Sequence, residues 1–473
     1  MSEIKFGTDG WRAIIAKDFT VDNVARVAEG TAKWLLRNYK QPSVVLGYDC
    51  RFGGELFAET VCKVFCSNGI KVYAAKGFVS TPMVSLGTLR QKANLGVIIT
   101  ASHNPASYNG YKLKGAYGGP LLPEKVEEIE NLIPYINGID TDKLAVAEFQ
   151  KQGLLEYIDL ETMYCNHVEA NFDLKTIRNS GLNFAYDAMY GAGQNVIRRL
   201  CPDATLLHCE HDPSFQGQAP EPIHKNLTEF STLIKSSKKI DCGLATDGDA
   251  DRIGLYDNEG NFIDSHHIIL LLIKYLHEQK QMRGKVVTAF SVSKKIEKMC
   301  EYLGLEQQVT KIGFKHIVGV MINEDVLLGG EESGGIAIKG HIPERDGIWM
   351  GLTIWEYMAK SGKSLQELIK EVYAVVGPFA FERADLHLHE KLKNEIVDNC
   401  KNNIYQNFGG YKIERTETTD GYKYFFNDTE WLMIRASGTE PVLRSYAESN
   451  TLQNANSILK AVEETLLKTE ITV

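Results

Sequence analysis

The chain of 473 residues has no Cys-x-x-Cys pair, no short tandem repeat and no low-complexity segment. Its nine cysteines are odd in number and scattered, which argues against the disulfide framework of small secreted domains. That pattern predicts reduced, mostly buried thiols and a cytoplasmic location. Met1-Ser2-Glu3-Ile4-Lys5 lacks an apolar h-region, so no secretory signal is expected. The most lipid-like run, Ile268 to Ile273, is broken at Lys274 and falls far short of the roughly 20 residues that span a bilayer. It predicts a buried helix with Ser265 as its cap, and no membrane partner. Nor is there an excess of cations. Lys and Arg total 52 against 61 Asp and Glu, a net charge of −9. This argues against nucleic acid as the main partner, while a local basic pocket for a small phosphate remains open.

Hydrophobic residues (44%) and charged residues (24%) are in ordinary globular proportion, enough to build several cores. At about 150 residues per domain, the length predicts roughly three domains. The first 150 residues alternate helical and strand signals. Val21 to Tyr39 has helical spacing after the cap Thr20, and Leu56 to Cys66 forms a second helix closed by Gly69. Ser43–Tyr48, Ile70–Ala75 and Leu95–Ile99 read as strands. Comparable α/β stretches follow at about 153–257, with strands at Leu182–Tyr186 and Gly243–Thr246, and then up to the helix Ile348–Ala359. After Gly377-Pro378 a charged helix (Glu390 to Gln406) gives way to short strands and turns, a smaller α+β domain. The expected fold class is α/β with mixed sheets, and ligand loops belong at the carboxyl ends of its strands.

Four loops carry chemistry. Thr100-Ala101-Ser102-His103-Asn104-Pro105 follows the strand Leu95–Ile99, and a serine at a strand end suits a nucleophile or a phosphorylated residue. No G-x-S-x-G elbow is present, so a hydrolase triad is a poor match. Lys112, in Asn109-Gly110-Tyr111-Lys112, supplies a cation for the same loop. The second loop, Asp247-Gly248-Asp249-Ala250-Asp251-Arg252, carries alternate carboxylates that converge on one hard cation if the chain curls at Gly248. Arg252 and Asn258 stand where an EF-hand needs Gly and Glu, so Mg²⁺ fits better than Ca²⁺. In the third, Gly329-Gly330-Glu331-Glu332-Ser333-Gly334-Gly335, Glu331 and Ser333 are spaced to face sugar hydroxyls. The fourth, Arg435-Ala436-Ser437-Gly438-Thr439-Glu440-Pro441, follows the strand Trp431–Ile434 and has the donors of an anion nest, with Arg444 on the next strand. His208-Cys209-Glu210-His211 lacks a matching second ligand pair for zinc, and Cys62 and Cys66 share a helix face as core residues.

With these loops in this order, and with Phe6-Gly7-Thr8-Asp9-Gly10-Trp11-Arg12 and Thr81-Pro82 ahead of them, the chain resembles the α-D-phosphohexomutase superfamily in its phosphoglucomutase and phosphomannomutase branch. The resemblance covers essentially the whole length. It implies three related α/β domains (1–150, 151–257 and 258–373) and a smaller C-terminal α+β domain (374–473) around a central cleft, with one loop from each. It adds the fourth domain that length alone does not predict.

The resemblance also implies roles. Ser102 is expected to be the phosphoserine, and Asp247, Asp249 and Asp251 to hold Mg²⁺ together with an oxygen on Ser102. Arg12, Lys112 and Arg252 would line the reaction centre, with Lys112 as general acid/base and His103 orienting its neighbours. Glu331 and Ser333 would bind the sugar. Arg435, Ser437, Gly438, Thr439 and Arg444 would grip the phosphate that is not transferred, with Lys315 and the Arg345-Asp346-Gly347 turn near the cleft. The expected substrates are hexose phosphates, interconverted through glucose 1,6-bisphosphate. Glu331-Glu332-Ser333 resembles the loop of glucose-preferring members, which makes glucose 1-phosphate the first choice and mannose 1-phosphate, or both sugars, the second. A phosphatase of the haloacid dehalogenase kind, with Asp249 or Asp251 as nucleophile, and a non-catalytic sugar-phosphate-binding protein are the other classes. Oligomeric state is not legible in these motifs.

Overall fold

The computed structural model describes residues 4–436 and 442–467. Two compact units emerge, Met1–Val287 with Gly313–Ile369, and Thr288–Ile312 with Lys370–Val473. All nine cysteines are buried and free, and no described helix is long and apolar enough to cross a membrane.

The first unit opens with a mixed sheet. The strand Leu95–Ile99 is buried along its whole length, consistent with its unbroken apolar sequence between two covered faces. It runs parallel to Ser43–Tyr48 and antiparallel to Tyr108–Gly115. Lys71–Ala75 and Leu155–Ile158 extend the parallel side, and Trp11–Ile14 closes the antiparallel edge. The helix Val21–Asn38 starts where Thr20 accepts a hydrogen bond from the Asn23 amide at 3.2 Å, and it buries Val24, Val27, Ala28 and Leu35. A second mixed sheet has Cys242–Thr246 parallel to Phe184–Asp187 and antiparallel to Ile253–Asp257. Further along, Val326–Gly330 and Ile336–Ile338 pair as an antiparallel hairpin, and the helix Gly347–Ser361 is capped by Asp346.

The apolar run is a buried helix, Ser265–Lys274, but its cap is Asp264 rather than Ser265. The Asp264 carboxylate accepts from the amides of both His266 and His267, which a serine hydroxyl one residue later does not reach. The helix Glu390–Lys401 likewise stops short of Gln406.

In the second unit a five-stranded antiparallel sheet runs Ala380–His387, Val442–Ser449, Trp431–Ala436, Tyr422–Phe425, Arg415–Glu417. Helices Glu390–Lys401 and Leu452–Leu467 bury Leu392, Ile396, Ile458 and Val462 with Leu432, Ile434 and Leu443.

Candidate active site

The buried strand Leu95–Ile99 delivers the serine loop. Ser102 takes a left-handed backbone conformation (φ 52°) and is fully buried. Its Oγ donates to Asp247 Oδ2 at 2.6 Å, and His103 Nδ1 lies 3.4 Å away. Burial, reinforced by the cations Arg252, Arg12 and Lys112, pulls the His103 pKa well below its usual value and keeps the ring neutral.

The acidic loop follows Cys242–Thr246 and curls as expected. Asp247 Oδ1 accepts the amides of Asp251 (2.9 Å) and Arg252 (3.0 Å), and Ala250 takes φ 57° at the apex. Asp247, Asp249 and Asp251 each place a carboxylate oxygen within 4.8 Å of the others, and all three are buried. Asp249 Oδ1 and Asp251 Oδ1 have no hydrogen-bond partner. Burial and the repulsion of Asp249 and Asp251 push the Asp247 pKa well above the ordinary carboxylate range. Unsatisfied hard oxygens in a buried cluster of like charge suit a divalent cation, and a few carboxylates with no nitrogen or sulfur ligand suit Mg²⁺.

A shell of ion pairs surrounds this cluster. Lys112 Nζ is fully buried and lies 2.7 Å from Asp249 Oδ2, 3.0 Å from Asp251 Oδ2 and 2.8 Å from Asp9 Oδ2. Burial opposes its charge, but Asp249, Asp251 and Asp9 outweigh that and raise its pKa. Arg345 Nη2 bonds both Asp9 and Asp251. Thr81 Oγ1 donates to Asp249 Oδ2 at 2.5 Å. Lys114 pairs with Glu344 Oε2 at 2.8 Å, and the Ser85 hydroxyl donates to the same oxygen. Arg12 donates to Asn104 Oδ1 at 2.8 Å, beside the serine loop, and Arg252 lies 3.8 Å from Glu221.

The third loop joins the same group. Glu331 Oε1 accepts from the Gly313 amide at 2.9 Å, and Oε2 lies 3.9 Å from Arg345 Nη1. Burial raises the Glu331 pKa to about 7, with Arg345 opposing. The Ile253 amide donates to Gly334 O at 3.1 Å, which fastens this loop to the strand leaving the acidic loop. Ser333 is half-buried. Lys315, in the first turn of the helix Phe314–Met321, lines a cavity of about 240 Å³ with Thr8, Asp9 and Gly10.

The remaining site candidates lie in the second unit. Arg435 and Arg444 face each other across neighbouring strands, and Arg435 Nε lies 3.4 Å from Asp420 Oδ1. Two cations at one cross-strand position repel unless an anion joins them. Ser437, Gly438 and Thr439 lie outside the described residues.

Models of the phosphoglucomutase/phosphomannomutase α/β/α domains I, II and III match residues 3–137, 162–260 and 264–376, and that of the C-terminal domain matches 382–465. The chain belongs to the phosphoglucomutase/phosphomannomutase family. It therefore has the family's four-domain α/β architecture and is a phosphohexomutase, an intramolecular phosphotransferase. Among similar proteins, a phosphoglucomutase/phosphomannomutase of Thermococcus kodakarensis is 29% identical, over 98% of this chain and 99% of the relative. A phosphoglucosamine mutase of Limosilactobacillus fermentum is 30% identical, over 97% of each. The crystal structure of a putative phosphomannomutase from Thermus thermophilus superposes with a TM-score of 0.86 at 32% identity, covering 98% of this chain and 99% of the other.

Within this phosphohexomutase, motif reading gave no role to Asp9, Thr81 or Glu344 and placed Arg345 only near the cleft. Asp9 is the common partner of Lys112, Arg345, Lys114 (3.8 Å) and Arg12 (3.9 Å). Gly10 makes this possible. Its φ of 94° and a would-be Cβ only 2.8 Å from Tyr111 O leave no room for a side chain. The Thr8-Asp9-Gly10 signature was visible, but nothing local in it names its partners.

Proposed function

We propose that the protein is a phosphoglucomutase that interconverts glucose 1-phosphate and glucose 6-phosphate through a phosphoserine at Ser102 and a glucose 1,6-bisphosphate intermediate. One observation carries this reading. The Ser102 hydroxyl is aimed at Asp247 within a buried acidic cluster that has two unsatisfied oxygens. Asp247, Asp249, Asp251 and an oxygen on Ser102 are the proposed Mg²⁺ ligands. Mg²⁺ bound there supplies positive charge against the negative charge of a phosphoryl group in transfer.

In the first half-reaction the sugar's free hydroxyl oxygen forms a bond to phosphorus as the bond from phosphorus to Ser102 Oγ breaks. The hydroxyl proton leaves to a base, and the Ser102 oxygen regains one. Lys112 is the proposed acid/base: its ammonium, held charged by Asp9, Asp249 and Asp251, carries the proton that Ser102 Oγ regains, and the proton of the sugar hydroxyl replaces it. Neutral His103 orients the serine, and Arg12 and Arg252 flank it. Glu331 and Ser333 are the proposed sugar contacts, with Lys315 nearby. Arg435, Arg444 and the loop residues Ser437, Gly438 and Thr439 are proposed to bind the phosphate that stays on the sugar. After the bisphosphate turns end for end, Ser102 takes back the other phosphate.

Glucose is preferred because Glu331-Glu332-Ser333 resembles the loop of glucose-preferring members. A second reading, phosphoglucosamine mutase, is favoured by the names of several relatives at 27–31% identity, and mannose 1-phosphate remains the other sugar to test. Coupled assays with the 1-phosphates of glucose, mannose and glucosamine, each primed with its 1,6-bisphosphate, separate the three. Labelled phosphoryl transferred from glucose 1,6-bisphosphate to the wild-type enzyme is expected to survive hydroxylamine and to be absent from Ser102→Ala. Label released by hydroxylamine would instead mark an acyl phosphate on an aspartate and sink the serine mechanism.

A further inference from the structure

The serine loop is held from behind by two buried residues in the turn after the strand Ser43–Tyr48, neither of which touches the acidic cluster's ligand oxygens. Asp49 and Arg51 are 1% and 3% exposed. The Arg51 guanidinium donates to four main-chain carbonyls, three in the serine loop and one at the start of the strand Tyr108–Gly115. Nη2 bonds Ser102 O and Asn104 O, and Nη1 bonds Pro105 O at 2.9 Å and Tyr108 O at 3.2 Å. Asp49 fixes the guanidinium, with Oδ2 3.3 Å from Arg51 Nε and Oδ1 accepting the Arg51 amide at 2.9 Å. Asp49 Oδ2 also accepts from Thr100 Oγ1 at 2.5 Å, and Thr100 Oγ1 accepts the Ser102 amide at 2.9 Å. The peptide groups on both sides of Ser102 are thus tied to one rigid frame. On the far side of Arg51 lies the Phe215 ring, 4.9 Å from the guanidinium carbon. Across the loop, Gly248 packs so tightly that a Cβ there would come within 2.6 Å of Ser102 O.

The frame has a specific task. Ser102 is one of twelve non-glycine residues with positive φ among the described residues (φ 52°), a conformation that persists only where its surroundings enforce it. Relaxation of that backbone would swing Oγ away from Asp247. We propose that Arg51, braced by Asp49 and linked through Thr100, is the positioning residue that sets the direction of Ser102 Oγ and so governs the phosphoryl-transfer rate rather than sugar binding. A guanidinium suits this better than an ammonium, because its planar fork meets several carbonyls at fixed angles.

This rests on the mutase reading, and the test separates the two. Steady-state kinetics with glucose 1-phosphate, and single-turnover phosphorylation by glucose 1,6-bisphosphate, are measured for wild type, Arg51→Lys, Thr100→Val and Thr100→Ser. Arg51→Lys is expected to lower kcat and the single-turnover rate by about 100-fold, the scale of a 1 Å misplacement, with KM changed less than threefold. Thr100→Val cuts the link between Asp49 and the Ser102 amide while leaving both Asp49 and Arg51 in place, and is expected to lower kcat by about 10-fold. Thr100→Ser keeps the hydroxyl and is expected to recover most of that loss. If Arg51→Lys does not fold, the Thr100 pair decides. Equal changes in KM and kcat, an unchanged single-turnover rate, or no rescue by Thr100→Ser would overturn the positioning role. A wild type that turns over no hexose 1-phosphate would instead remove the mutase reading itself.

Discussion

Asp9→Asn is the sharpest probe of the charge balance around the acidic cluster. The substitution keeps the shape and removes the carboxylate outside the acidic loop that Lys112 and Arg345 share with Asp249 and Asp251. At an effective dielectric of about 20, unit charges 2.8 Å apart, the Lys112–Asp9 distance, attract by about 6 kcal/mol. Lys114 at 3.8 Å adds roughly 4 kcal/mol by the same arithmetic. Desolvation cancels most of this, leaving about 1.5–3 kcal/mol per charge-assisted bond. These attractions explain why Asp9, despite burial that would raise its pKa, stays well below the usual carboxylate range. Without Asp9, both cations lean on Asp249 and Asp251 and compete with Mg²⁺ for the same carboxylates. The Mg²⁺ concentration for half-maximal activity should rise by about 10- to 150-fold, the equivalent of one such bond. Initial rates over a Mg²⁺ titration, with calorimetric Mg²⁺ binding in parallel, measure it. Loss of turnover at an unchanged Mg²⁺ midpoint would show that Asp9 does not tune the cluster and would refute this reasoning.

Arg435→Ala should raise KM more than it lowers kcat, by about 10- to 150-fold, because the proposed contact is to a phosphate that stays bound through the reaction. It should also increase the need for added glucose 1,6-bisphosphate, and unchanged values of both would make that loop a structural turn. In the second unit, Lys423 is buried with its ammonium 3.7 Å from the Trp431 ring and donates to Phe290 O and Val292 O at 3.2 Å. Burial, with Lys294 and Arg415 adding repulsion, lowers its pKa from 10.5 to about 7 despite Glu448 and Glu417. Between pH 7 and 10.5 the unfolded chain holds a proton that the folded chain has lost, so stability should rise with pH by up to about 5 kcal/mol. Guanidinium denaturation across that window should show the rise in wild type and a flatter profile in Lys423→Met. Identical slopes would mean that Lys423 keeps its proton.

What the sequence determined by itself is what depends on neighbours along the chain. Unbroken apolar runs such as Leu95–Ile99 predict strands covered on both faces. Contiguous loops such as 100–105 and 247–252 keep their chemistry together whatever the rest of the fold does, so Ser102 and the three aspartates were legible. Helix ends were less so, because Asp264 and Ser265 are both good caps and only the backbone path selects between them. The tertiary structure alone decided which charges meet. Arg345 reaches Asp9 across 336 positions, Thr81 reaches Asp249 across 168, and Arg51 reaches the serine loop across 51 to 57. Motif spacing carries no record of such pairs, since a buried carboxylate is compensated by whichever cation the fold brings within a few ångströms, however far away it lies in the chain.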